Sequence, residues 1–154
     1  MSILLVRHAI AVDRHSWGDA SDDERPLRKR GRRQADALVG LLSGYEVGRV
    51  LSSPFLRCVE TVAPLAIARG VAVERTDDLA EGAIHEAMSL VRAVIGTHVV
   101  MCSHGDVIPR VLEHFVVHDG IDLGSNPTWA KASTWVLEDD GERLVKAFCI
   151  DPPH

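Results

Sequence analysis

A chain of 154 residues with 46% hydrophobic and 25% charged residues has the size and mix of one folded unit with a sizeable core. Its formal net charge of −5 argues against a general nucleic-acid binder, and no apolar run approaches the length of a membrane span. Three scattered cysteines, Cys58, Cys102 and Cys149, suit neither a disulfide framework nor a CxxC metal site. With only four apolar residues before Arg7 no signal peptide is expected, and a reducing cytoplasm is the expected location.

Ile3 to Val6 read as a buried strand that runs directly into Arg7 and His8. In an open α/β sheet ligands bind beyond the carboxyl ends of strands, which is where these two residues would sit. Residues 10 to 26 are polar and Asp-rich and are expected to form a loop over that end, with Trp17 anchoring it. Arg14-His15 repeats the Arg-His pair without a strand before it and receives no role. The basic run Lys29 to Arg33 reads as a solvated surface. Ala35, Leu38, Val39 and Leu42 have helical spacing, with an end expected near Gly44.

Val47 to Ser52 is expected to be a second strand. It leads into Ser52-Ser53-Pro54, where a serine cap and Pro54 at the first helical position predict a helix start. Phe55, Val59, Val62 and Ala66 mark the face that helix buries, and Arg57 lies in its first turn. A short strand at Val71 to Glu74, a turn at Thr76 to Asp78, and a helix over roughly Glu86 to Ile95 follow. Val99 to Cys102 forms another strand, succeeded at Ser103-His104-Gly105 by a helix with Pro109 in its first turn. Ser133 to Leu137 and Arg143 to Ile150 read as a hairpin about Asp139-Asp140-Gly141. The strand–helix alternation predicts an α/β fold, a three-layer α/β/α sandwich with a largely parallel sheet.

Arg7, His8, Arg57 and His104 thus stand at three separate strand ends. Two guanidinium groups, two imidazoles and a helix start at Gly105 describe a phosphate site. Positive surroundings keep an imidazole neutral and nucleophilic, and the arginines supply the charge that a metal ion supplies elsewhere, so no metal or other cofactor is expected. His85, His98, His114 and His118 are assigned no function, and Asp106 at the helix start needs only a structural role.

ILLVRHA resembles the first motif of the histidine phosphatase superfamily, the phosphoglycerate-mutase-like fold, usually written RHG. RPLRKRGRRQA, LSSPFLRCVET, LAE and CSHGDVIPRVL are similar to its later motifs, in order, over residues 3 to about 112. The resemblance implies a single histidine phosphatase domain over residues 1–154. It makes His8 the phosphoryl acceptor, Arg7 and Arg57 phosphate clamps, and His104 the stabiliser of the transferring group. Glu81 takes the general-acid position, and the Gly105 N–H is an extra donor. Two positions depart from the pattern: Ala9 replaces the glycine after RH, and Arg28 replaces the threonine of PLT, which leaves the local cap in question.

The short chain resembles the SixA-type phosphohistidine phosphatases, whose open site admits a protein-bound phosphohistidine, and a phosphorylated substrate of that kind is the first expectation. RPLxKRGRxQA and ASTWVLEDxGERLV are also similar to the phosphatase-like C-terminal half of two-domain MutT-type Nudix hydrolases, which makes a nucleotide or other small phosphate ester the alternative. A non-catalytic phosphate-binding module is a third reading, disfavoured by the intact quartet of Arg7, His8, Arg57 and His104. Neither a nucleic-acid nor a membrane partner is expected, and the sequence does not specify an oligomeric state.

Overall fold

In the computed structural model, which describes residues 1–154, the first apolar run is buried on both sides. It forms β1 (Ser2–Arg7). Successive side chains of a strand point to opposite faces. Ile3 and Leu5 therefore enter one core cluster and Leu4 and Val6 the other. A strand covered on both faces needs four consecutive apolar residues rather than an alternation.

The other strands are β2 (Arg49–Ser52), β3 (Val73–Arg75), β4 (Val99–Ser103), β5 (Thr134–Asp139) and β6 (Leu144–Ile150), in the sheet order β3-β2-β4-β1-β5-β6. β3, β2, β4 and β1 pair in parallel, whereas β5 runs antiparallel to both β1 and β6. The sheet is therefore largely parallel with the expected hairpin at one edge.

There are five helices, α1 (Arg14–Trp17), α2 (Lys29–Leu41), α3 (Leu56–Arg69), α4 (Ile84–Val94) and α5 (Ile108–Asp119), of which the last four cover the sheet. Leu38 and Leu42 at α2 and Cys58, Val62, Leu65 and Ala66 of α3 pack on one face with Leu4, Val50 and Val100. Ala87, Val91 and Val94 of α4 pack with Val111, Leu112 and Phe115 of α5 on the other face. This is the three-layer α/β/α sandwich.

Several boundaries differ from the sequence reading. The polar stretch after β1 contains α1 and a 3-10 turn at Asp22–Glu24, and the Trp17 indole N–H ties that loop together by donating to the Ser21 carbonyl. α2 stops at Leu41, before Gly44, because the chain tightens into a turn in which the Tyr45 N–H bonds the Leu42 carbonyl. β3 begins only at Val73, since the Val71 N–H is used to close α3 on the Ala66 carbonyl.

α3 starts at Leu56, so Pro54 precedes the helix instead of opening it. The Ser53 hydroxyl accepts the Phe55 N–H and is also committed to His104, described below. The helix expected at Gly105 begins as a turn over residues 105–107, with α5 proper from Ile108. Pro109 has no N–H to give the Gly105 carbonyl, which delays regular helix by one turn.

Candidate active site

β1 ends at Arg7, β2 runs into Ser53 and the start of α3, and β4 ends at Ser103. Because these three strands are neighbours and parallel, their carboxyl ends open on one crevice. Arg7, His8, Arg57, Glu81, His104 and Gly105 all line a single cavity of about 220 Å³ there. Arg14, Arg25, Asp106 and Lys131 complete its wall, and none of the ten lining residues is hydrophobic. Five cationic side chains face two carboxylates, in a chain whose overall charge is −5.

His8 is buried, with its Nδ1 2.8 Å from the Ala9 carbonyl oxygen. A carbonyl can only accept, so Nδ1 carries the proton and Nε2 keeps its lone pair. Burial lowers the His8 pKa to about 4; the Ala9 hydrogen bond opposes the shift, and the charges of Arg57, Arg7 and Lys131 reinforce it. At neutral pH the ring is uncharged, with a lone pair on Nε2.

His104 meets His8 edge-on, with ring centroids 5.5 Å apart. Its pKa is lowered to about 3, first by burial and then by the His8 and Arg57 charges. Its Nε2 lies 2.8 Å from the Ser53 hydroxyl oxygen and 3.5 Å from the Cys58 sulfur. The Ser53 oxygen already accepts the Phe55 N–H, and its own proton has no other acceptor than His104 Nε2. That pairing leaves the His104 proton on Nδ1, as a free donor.

Arg57 is 1% exposed although charged, so its guanidinium needs partners. It donates to the Asp22 backbone carbonyl at 3.0 Å and to the Asp22 carboxylate at 3.2 Å, lies 3.7 Å from Glu81, and sits over the Phe55 ring. Arg7 donates to the Trp129 carbonyl at 2.8 Å, and burial lowers its pKa against the pull of Asp106. Five buried side-chain polar atoms in the chain lack a hydrogen-bond partner, and three of them are Arg7 Nε, Arg57 Nε and His104 Nδ1. Buried unpaired donors are expensive, and here they belong to residues of one cavity.

Gly105 sits where a Cβ would lie 2.7 Å from the Arg7 guanidinium carbon, so any side chain there would push that group aside. Its N–H takes no part in backbone hydrogen bonding. The Ala9 methyl points away from this site, into a small cluster with Leu27, Ala35 and Ala132, while the Ala9 N–H bonds the Thr61 hydroxyl. Ala9 is accordingly not among the residues that line the cavity. Arg28 stands at the N-cap of α2 and its side chain caps nothing. Glu81 is half-exposed at the cavity wall, and its turn is fixed by the Gly82 N–H bonding Asp106 at 2.8 Å.

Sequence reasoning did not find Asp22, Ser53, Arg14, Arg25 or Lys131. Asp22 holds Arg57 and Arg25, and hydrogen bonding and the arginine charges hold its carboxyl below the usual range even though burial pushes the other way. These residues lie in polar stretches with no period. Only the serine of the SSP segment carries a local signal, and that signal is the one of a helix cap. Trp135 belongs to the core, and Trp129 packs against it. The rings of His114 and His118 lie tilted against each other, with centroids 4.3 Å apart.

Residues 3–91 match the family described as the histidine phosphatase superfamily (branch 1). An 8-oxo-(d)GTP phosphatase of Mycolicibacterium smegmatis is 34% identical over 99% of this chain, which spans only 48% of that protein's length. The protein histidine phosphatase SixA, solved in complex with tungstate, superposes with a TM-score of 0.76 at 21% identity, covering 94% of this chain and 93% of that one. Bacillus stearothermophilus YhfR superposes with a TM-score of 0.74 at 16% identity, covering 94% of each chain. The chain belongs to the histidine phosphatase superfamily and has its α/β fold.

Proposed function

We propose that this protein is a phosphatase that works without a metal ion, through a covalent phosphohistidine on His8. The observation that carries the proposal is the trio of unpartnered buried donors on Arg7, Arg57 and His104 beside a histidine whose Nε2 lone pair is free. A tetrahedral oxyanion offers acceptors to all three.

In the first step His8 Nε2 attacks phosphorus and a P–N bond forms as the bond to the leaving group breaks. Charge gathering on the equatorial oxygens is met by Arg7, Arg57, His104 and the Gly105 N–H. An alkoxide leaving group takes a proton from Glu81. In the second step water attacks phosphorus, the P–N bond breaks, and the water proton returns to the Glu81 carboxylate, releasing orthophosphate.

An all-polar cavity with no aromatic wall selects by charge, and it suits a phosphohistidine presented on a protein surface as the first substrate class. A small phosphate ester, nucleotides included, is the second. It is favoured by Glu81 at the cavity wall, since expelling an alkoxide requires a positioned acid, and by the 34% identical relative named for nucleotide hydrolysis.

The test is hydrolysis of p-nitrophenyl phosphate with chelator present. Turnover that disappears in His8→Ala supports the reading. Turnover that persists in that variant, or that chelator abolishes, overturns it.

A further inference from the structure

Arg7 and Arg57 account for one phosphoryl group, yet the same small cavity holds three more cations. Arg25 is committed to the fold, donating to the Asp22 carboxylate and the Val12 carbonyl. Lys131 and Arg14 are different. Lys131 forms no hydrogen bond or ion pair in the protein, and Arg14 reaches a carboxylate only at 3.7 Å, with its side chain 67% exposed.

Lys131 is also held in place rather than left to wander. The next residue, Ala132, is buried in the left-handed region at φ 67°, which a non-glycine residue adopts only under constraint. Its N–H is shared between the carbonyls of Arg7 and His8, the two residues at the centre of the site. The strained turn thus fastens the Lys131 backbone to the end of β1. The ammonium is set against its like charges: burial and the nearby Arg7, Arg25, Arg28 and Arg57 all lower its pKa. A cation kept among cations without a protein counterion is a site for an anion.

We propose that Lys131, assisted by Arg14, forms a second anion subsite that receives a further phosphoryl group on the same substrate molecule. This rests on the reading that Arg7 and Arg57 hold the scissile phosphate. Because the subsite shares a cavity of about 220 Å³ with His8, the second group must be a close neighbour of the first. It deepens the second of the two substrate classes above: the substrate is a small molecule carrying a diphosphate or adjacent phosphates, attacked at its terminal phosphorus.

Calorimetric titration of the wild type and of Lys131→Gln with orthophosphate and with methylenediphosphonate, at fixed ionic strength, tests this without requiring turnover. Lys131 is exposed and its replacement leaves the core untouched. The wild type is expected to bind the diphosphonate more tightly than orthophosphate, and Lys131→Gln to lose roughly ten-fold of that preference, with Arg14→Gln losing a smaller part. An unchanged preference in Lys131→Gln overturns the subsite. An Asp-rich peptide that depends on Lys131 while the diphosphonate does not would also overturn it, by assigning the rim to a protein surface. A failed subsite leaves the His8-dependent turnover of p-nitrophenyl phosphate intact, so the two readings fail separately.

Discussion

The Nδ1 of His8 donates to the carbonyl of Ala9, the next residue in the chain, at 2.8 Å. A single backbone oxygen thereby fixes the tautomer, and burial, reinforced by the surrounding cations, keeps the ring neutral. Activity should therefore persist well below the ordinary histidine pKa of 6.5. Once the ionisation of the substrate is accounted for, the acid limb of kcat/KM is expected near pH 4. A limb near 6.5 would mean that the nucleophile is not in this environment.

The same shifts make a stability prediction. His8 and His104 have folded pKa values of about 4 and about 3, below the ordinary 6.5, so the unfolded chain binds their protons first. Their contribution is fully present above pH 6.5 and is lost as the pH falls through the window toward those folded values. Urea unfolding at pH 7 and pH 5 should show the loss, and His8→Asn should reduce the pH dependence by about one proton. An unaltered dependence in that variant would contradict the assignment.

Gly31 and Gly105 both exclude a Cβ, with different consequences. At Gly31 the added carbon would lie 2.0 Å from the Ile10 carbonyl oxygen, a backbone clash. Gly31→Ala should destabilise by on the order of 3 kcal/mol. At Gly105 the obstacle is the Arg7 guanidinium, the movable end of a side chain. Gly105→Ala should change the melting temperature little and lower kcat/KM on the order of 100-fold, because the clamp is displaced. Thermal melts and kinetics on the pair separate the two cases.

Restoring the glycine that the family pattern expects after Arg-His should not improve catalysis. The Ala9 methyl is fully buried against Leu27, Ala35 and Ala132. Ala9→Gly is expected to lose about 1 kcal/mol of stability and leave kcat near the wild-type value. A marked gain in kcat would show that the methyl constrains the nucleophile.

Glu81 should matter according to the leaving group. Glu81→Gln is expected to slow hydrolysis of an alkyl phosphate far more than that of phosphohistidine, whose imidazole is readily protonated near neutral pH. Equal losses on both substrates would remove Glu81 from the acid role.

The sheet was legible because its strands announce themselves: Ile3 to Val6 and Val99 to Cys102 are buried on both faces and must be continuously apolar. Arg7, His8 and His104 were legible for the complementary reason, as polar groups placed directly after such runs. Arg57 is 1% exposed on a helix face otherwise filled by Cys58, Thr61, Val62 and Leu65. The expected apolar face, drawn through Phe55 and Val59, was rotated because it counted no buried arginine or threonine. Asp22 and Lys131 could not be read in the same way. Each depends on which loop the fold returns to the strand ends, and no local period encodes that. Ser53 does not cap a helix opened by Pro54: its hydroxyl takes the Phe55 N–H just before α3 and also pairs with His104, a partner 51 residues away in the chain.

If His8 accepts the phosphoryl group, rapid-quench mass spectrometry will find it there. Wild-type protein mixed with p-nitrophenyl phosphate and quenched in base, where a phosphohistidine survives, should carry one phosphoryl group on the peptide that contains His8. A phosphoryl group on His104, or turnover with no phosphorylated protein at any quench time, would contradict the account.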